Sequence, residues 1–168
     1  MQNKIQKITP FLWFDDQAEE AAKFYISIFK GKNSKILSVS DMMVTFRLLG
    51  QEFMALNGGP VFKFNPAISL FVSCQGQKEV DMLWEKLSKG GKEDKCGWLT
   101  DKYGLSWQII PNALGELMRD EDAEKSGRVF QAMLRMGKID VKKLESAYAD
   151  SSYGQSAKKR SGRSATTL

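Results

Sequence analysis

The sequence predicts an α+β fold of two repeated βαβββ modules followed by C-terminal helices. Three observations predict it. Two stretches of the 168-residue chain repeat one order of apolar run, helical stripe and alternating segments. The stretches are in register: Ala21, Phe24, Tyr25 and Ile28 stand 59 residues before Val80, Leu83, Trp84 and Leu87, while Gly50 and Phe53 stand 54 before Gly104 and Trp107. After Pro111 the pattern turns wholly helical. A lone βαβββ unit would leave one sheet face bare, which makes duplication the economical reading.

The first module spans about residues 5–60. Ile5 to Phe14 reads as a strand whose Pro10 marks an edge or bulge, because proline cannot donate to a ladder. Asp15-Asp16 is expected to cap a helix with Glu19 and Glu20 in its first turn and Ala18, Ala21, Ala22, Tyr25, Ile28 and Phe29 along one face. Gly31 ends it. Strands are expected over residues 35–40, 44–49 and 52–56, with Gly50-Gln51 as the last turn and Asn57-Gly58-Gly59-Pro60 as a breaker.

The second module, about 66–112, repeats the order: a strand over 67–74, a helix over 77–87 with Val80, Leu83, Trp84 and Leu87 on one face, and an exit at Lys89-Gly90-Gly91. A strand over 96–99 and a hairpin through Tyr103-Gly104 lead to Ser106–Pro111. In the helical segment, about 113–149, Leu114, Leu117 and Met118 form a short stripe. Asp120 or Asp122 caps a longer helix carrying Val129, Met133 and Met136, and Asp140 caps a last one carrying Leu144 and Tyr148. Residues 1–149 are read as one domain. Residues 150–168, rich in Ser, Gly and Lys/Arg, are expected to be a disordered basic tail.

Charge and composition narrow the function classes. At 42% apolar and 27% charged residues the chain is ordinary globular protein. The formal charge of +5 is concentrated in the tail, where Lys158, Lys159, Arg160 and Arg163 face only Asp150, so no specific nucleic-acid partner is expected. No run reaches the roughly 20 apolar residues of a membrane helix, and Met1–Ile5 has no apolar leader, so a cytoplasmic protein is expected. Cys74 and Cys96 suit a reducing compartment, two thiols being too few for a disulfide framework or metal cluster.

The chain contains no histidine, which removes the commonest metal ligand and the usual acid/base near neutral pH. A glycine-rich loop between a strand and a helix, followed by an acidic residue, is also missing, since Gly58-Gly59 runs into Pro60. No metal and no cofactor are expected. What remains is a set of aromatics at strands or their ends: Trp13, Phe53, Phe62, Phe64, Trp98, Tyr103 and Trp107. Asn57, Asn65 and Gln108 supply amides that must find a partner in backbone or ligand. The candidate ligand-binding set is Trp13, Met54, Asn57, Phe64, Asn65, Trp98, Trp107 and Gln108, with Asp101 and Cys96 as candidates for catalysis.

The stretches Phe11–Phe29, Phe53–Cys74 and Cys96–Asp122 resemble the PhnB-like branch of the glyoxalase/bleomycin-resistance (vicinal oxygen chelate) superfamily, also described as 3-demethylubiquinone-9 3-methyltransferase-like. The resemblance runs from about Ile5 to Tyr148. It implies paired βαβββ modules, a pocket lined by a curved sheet, and a homodimer. In metal-dependent relatives the ligands would fall at Thr9 or Pro10, Met54, Ala67 or Ile68, and Gln108, none of which offers imidazole or carboxylate. The expected function is metal-free binding of a small aromatic or hydrophobic molecule. The alternatives are an enzyme of proton abstraction or group transfer using Asp101 or Cys96, and a structural or regulatory interaction protein.

Overall fold

A computed structural model describes residues 6–150. Ile5 of the first expected strand and the basic tail from residue 151 onward lie outside the described residues. The chain divides into two compact units, the first running to Ala67 and including Tyr103–Leu105, the second holding the rest.

The first unit contains β1 (Phe11–Phe14), α1 (Ala18–Ile28), β2 (Lys35–Val39), β3 (Met43–Leu48) and β4 (Gln51–Asn57). Its sheet has the order β1-β4-β3-β2, with β1 parallel to β4 and the other pairs antiparallel. Alternation decides the faces: Val44, Phe46 and Leu48 of β3 are buried, while Met43, Thr45 and Arg47 between them are half-buried. The buried face packs on α1, whose Ala18, Ala21, Ala22, Tyr25 and Ile28 are the inward residues. Three alanines let the helix lie close, and each large side chain buried there contributes roughly 1.5–3 kcal/mol of transfer free energy.

Three local expectations are corrected. The helix is not capped by Asp15 or Asp16: its N-cap is Gln17, which makes no side-chain cap bond, and the amide of Ala18 donates instead to Asn57 Oδ1 at 2.8 Å. The β3–β4 turn is Leu49-Gly50 rather than Gly50-Gln51, because Leu48 pairs with Gln51 and both turn residues have positive φ, 49° and 98°. That is the signature of a type I′ hairpin, whose twist matches the strands. The first strand also starts late, at Phe11 rather than Ile5, directly after Pro10.

The second unit repeats the topology with β5 (Leu70–Cys74), α2 (Gln77–Ser88), β6 (Lys92–Glu93), β7 (Trp98–Thr100) and β8 (Ser106–Pro111). Its order is β5-β8-β7-β6, again with the first strand parallel to the last. The equivalences read from the sequence hold: Gly50 and Gly104 both have left-handed φ, 98° and 89°, and Phe53 and Trp107 are both buried. The α2 face carries Val80, Leu83, Trp84 and Leu87 as expected. Neither four-stranded sheet closes on itself. The strand expected over 96–99 is β7, and the two-residue β6 before it, exposed and charged, gave no apolar signal.

Helices α3 (Asn112–Met118), α4 (Ala123–Met133) and α5 (Val141–Ala149) complete the second unit. Asp122 Oδ1 accepts from Glu124 N–H at 2.9 Å and Asp140 Oδ1 from Lys143 N–H at 3.1 Å, so both expected caps are formed. Leu114, Val129, Ala132, Ile139, Leu144 and Ala147 make a small core with Ile110 of β8. Met118, placed in the first stripe, is exposed instead, and Leu117 supplies the contact. The connection between α4 and α5 is stitched to the sheet. Cys96 and Gly97 N–H donate to Met136 and Gly137 O, each at 2.8 Å, and the Gln77 amide bridges Ile139 O and Val141 N. Among the described residues no helix is long and apolar enough to cross a membrane.

Candidate functional site

In each unit one sheet face is covered by its helix, and the other carries the side chains with free chemistry. On the first sheet, parallel pairing of β1 with β4 sets Phe11 beside Met54 and Trp13 beside Leu56. Antiparallel pairing adds Thr45 beside Met54 and Met43 beside Leu56. Period-two alternation turns all of these away from α1, giving a surface of aromatic, thioether and aliphatic groups.

Trp13 is fixed in this surface. Its Nε1–H donates to Gly59 O at 2.8 Å, and its ring meets Phe62 edge-on at 4.9 Å. The glycine at 58 makes room for the indole: a Cβ there would lie 2.3 Å from two ring atoms. The Gly58-Gly59 pair thus seats Trp13 as well as breaking the strand.

The other first-unit candidates do different work. Asn57 faces the α1 side, accepting from Ala18 N–H and donating through Nδ2 to Asp41 O at 3.1 Å. Phe64 packs edge-on against the core residue Phe14 at 5.2 Å. Asn65 is exposed and its Oδ1 accepts from Ala67 N–H at 2.9 Å, an Asx turn. Tyr103, counted with this unit, donates its hydroxyl to Glu20 Oε1 at 2.6 Å and meets Phe14, Phe24 and Tyr25 edge-on.

On the second sheet, Gln108 of β8 lies between Phe71 of β5 and Trp98 of β7 in the register. This row faces away from α2. Phe71 is 58% exposed and Trp98 half-buried. Gln108 Nε2–H donates to Ser69 Oγ at 2.8 Å, which fixes the amide plane and leaves its carbonyl oxygen without a donor among the described residues. Sequence reasoning found Trp98 and Gln108 but missed Phe71 and Phe11, which strand alternation could have placed once the register was known.

Trp107 and Asp101 belong to the opposite side. Trp107 is buried among the α2-facing residues, and its indole N–H donates to Asp101 Oδ2 at 2.8 Å. Asp101 is itself 3% exposed. The carboxylate is therefore committed to a buried hydrogen bond and lies away from the Phe71–Gln108–Trp98 row. Cys96 has φ 59° and is partly buried, with its thiol 3.7 Å from Met133 O. Cys74 is fully buried, and desolvation first, then the nearby Glu79 carboxylate, pushes its thiol up to about 12, the wrong direction for a nucleophile.

The positions that the superfamily resemblance would assign to metal ligands do not fit a divalent ion. Met54 offers a thioether and Gln108 a neutral amide, with no imidazole or carboxylate at these positions. Among the described residues no group of three or more Cys, Asp or Glu side chains is arranged to hold a metal.

The sequence model of the family described as 3-demethylubiquinone-9 3-methyltransferase matches residues 6–110, which covers both βαβββ modules. The chain belongs to this family. Among solved structures it is similar to the PhnB protein from Bacillus cereus, with 38% identity, a TM-score of 0.59, and coverage of 63% of this chain and 99% of that one. A looser likeness, at 19% identity and TM-score 0.53 over 64% of this chain and 98% of the other, joins it to the protein PA1353 from Pseudomonas aeruginosa. It also resembles a glyoxalase/bleomycin resistance protein from Albidiferax ferrireducens, at 17% identity and TM-score 0.43 over 61% of this chain and 96% of that one. No curated protein matches the chain. The family match stops at residue 110, so α3–α5 lie outside the matched residues. A fold of this family suggests small-molecule binding.

Proposed function

We propose that the protein binds a small aromatic or hydrophobic molecule without a metal, on the face of the second sheet turned away from α2. The observation that carries this reading is the Phe71–Gln108–Trp98 row: two accessible aromatic rings flank an oriented amide whose carbonyl still accepts. Rings supply stacking and apolar contact, and one fixed acceptor selects a ligand with a hydroxyl or N–H. Trp13, Met54 and Phe11 give the first sheet a comparable apolar face, so each module presents the same kind of surface. A general base is not part of the reading, because Asp101 is held by Trp107 on the other side of the sheet. The reading includes a homodimer.

The test uses 2-naphthol, which has a planar ring and one hydroxyl donor. Saturable quenching of tryptophan emission, abolished in Trp98→Phe and weakened several-fold in Gln108→Leu, supports the proposal. Equal quenching in wild type and Trp98→Phe refutes it. Native mass spectrometry of the purified full chain reads the subunit count and any retained organic ligand in one measurement, and a purely monomeric spectrum at micromolar concentration refutes the dimer.

A further inference from the structure

The part of the chain beyond the family match supplies one wall of a cavity on the second sheet. It measures about 260 Å³ and lies between β5, the end of β8 and α3. Phe71 and Ile110 form an apolar floor, Ser73 supplies a hydroxyl, and Gly115 and Glu116 of α3, with Arg119 at its C-cap, form the facing wall. Drug-sized ligands occupy pockets of roughly 300–1,000 Å³, so this one suits a molecule of one ring or less.

Two of the charged side chains that line it, Glu116 and Arg119, have no ion-pair partner among the described residues. Arg119 spends only Nε–H, on Gly115 O one turn back at 3.1 Å, and forms no ion pair with a described residue. The carboxylate of Glu116, three residues earlier, likewise makes no ion pair or side-chain hydrogen bond there. Gly115 adds a second observation. A glycine within a helix costs about 1 kcal/mol relative to alanine, yet here a Cβ would stand 3.3 Å from Arg119 Nη2. The guanidinium thus lies back along α3 beside Gly115, and Arg119 is one of the residues lining the cavity.

We propose that this cavity binds a small zwitterion with an apolar body, of the class of an apolar α-amino acid. The side chain lies on Phe71 and Ile110, the carboxylate is read by Arg119 and the ammonium by Glu116. A simple anion would gain Arg119 but face Glu116, and a simple cation the reverse. Only a ligand bearing both charges meets two favourable partners. The site shares Phe71 with the row proposed above but does not depend on binding there, since its charged wall comes from α3.

The test is an amide-resolved NMR titration of the full chain with L-phenylalanine, 3-phenylpropanoate and phenethylamine. The proposal expects saturable shifts at Ser73 and Gly115 with L-phenylalanine, and at least tenfold weaker binding of each singly charged analogue. Arg119→Gln should reduce L-phenylalanine to the affinity of phenethylamine, and Glu116→Gln to that of 3-phenylpropanoate. Both side chains are exposed, and an unchanged urea midpoint confirms that the variants fold. Absence of saturable shifts at Ser73 and Gly115, equal binding of all three probes, or unaltered binding by Arg119→Gln overturns the proposal. Naphthol quenching in the same variants reports separately on the Trp98 row.

Discussion

Replacing Gly97 by alanine tests how the C-terminal helices are anchored to the second sheet. Gly97 has φ 81°, a conformation that costs an L-residue roughly 1–2 kcal/mol. The added methyl would stand 2.6 Å from Ile110 Cδ1, 3.0 Å from Ile109 O and 3.2 Å from Ile139 Cγ1. Ile110 can rotate, but the Ile109 carbonyl is β8 backbone at a residue whose N–H is bonded to Gly97 O, and Ile139 is fully buried. Overpacking of this kind costs about 1–3 kcal/mol, giving a combined loss of about 2–5 kcal/mol. That is a large part of the 5–15 kcal/mol stabilising an ordinary domain. Urea unfolding followed by tryptophan emission measures it. Gly127→Ala in α4 is the control, because nothing lies within 4 Å of its added Cβ and the helix should gain roughly 0.5–1 kcal/mol. A Gly97→Ala variant within 0.5 kcal/mol of wild type would refute the reasoning.

Gly58→Ala drives a methyl into the Trp13 ring, so the indole should lose its bond to Gly59 O, with a cost of about 1 kcal/mol and a red-shifted emission; an unchanged spectrum would contradict this. The Tyr148 hydroxyl, hydrogen-bonded to Asp120, holds that carboxyl below its usual range, and the same bond raises the tyrosine. The Asp120 contribution is therefore present above about pH 4 and lost as pH falls through its lowered value, while that of Tyr148 is present below about pH 10 and lost as pH rises through its raised value. The stability gap between wild type and Tyr148→Phe should be widest between these limits and narrow on both sides, and a gap independent of pH would count against the pair. With its thiol near 12, Cys74 is about one part in ten thousand thiolate at pH 8; it should resist a disulfide reagent until urea unfolds the protein, and fast labelling of native Cys74 would show that its burial is misread.

The sequence was most legible where a structural role is local. Gly50 and Gly104 mark equivalent turns because a left-handed φ is a property of one residue. Asp122 and Asp140 cap helices two or three residues away. The misreadings have distant causes. Asp15-Asp16 has the right chemistry for a cap, yet the bond to Ala18 comes from Asn57, 39 positions along the chain. Trp107 and Trp98 looked interchangeable as ligand contacts, but alternation and the register place one against α2 and the other on the opposite face. Asp101 stands in the sequence as a candidate for catalysis, and only the fold shows the Trp107 indole donating to its carboxylate. The aromatic candidates were found by type. Their division between two faces depends on strand pairing, which no single segment encodes.

The Asn57 cap also bears on the order in which the first module assembles. A short helix is marginal on its own, and its first turn is the costly part. Here the side-chain acceptor for the amide of Ala18 arrives only when β4 has paired beside β1 and brought Asn57 to the helix start. Completion of the sheet and closure of the helix end are thus one event, late in the chain and dependent on a long loop closing. A ribosome that has released α1 but not yet β4 would carry a helix with a frayed beginning, which becomes fixed only when the last strand of the repeat is delivered.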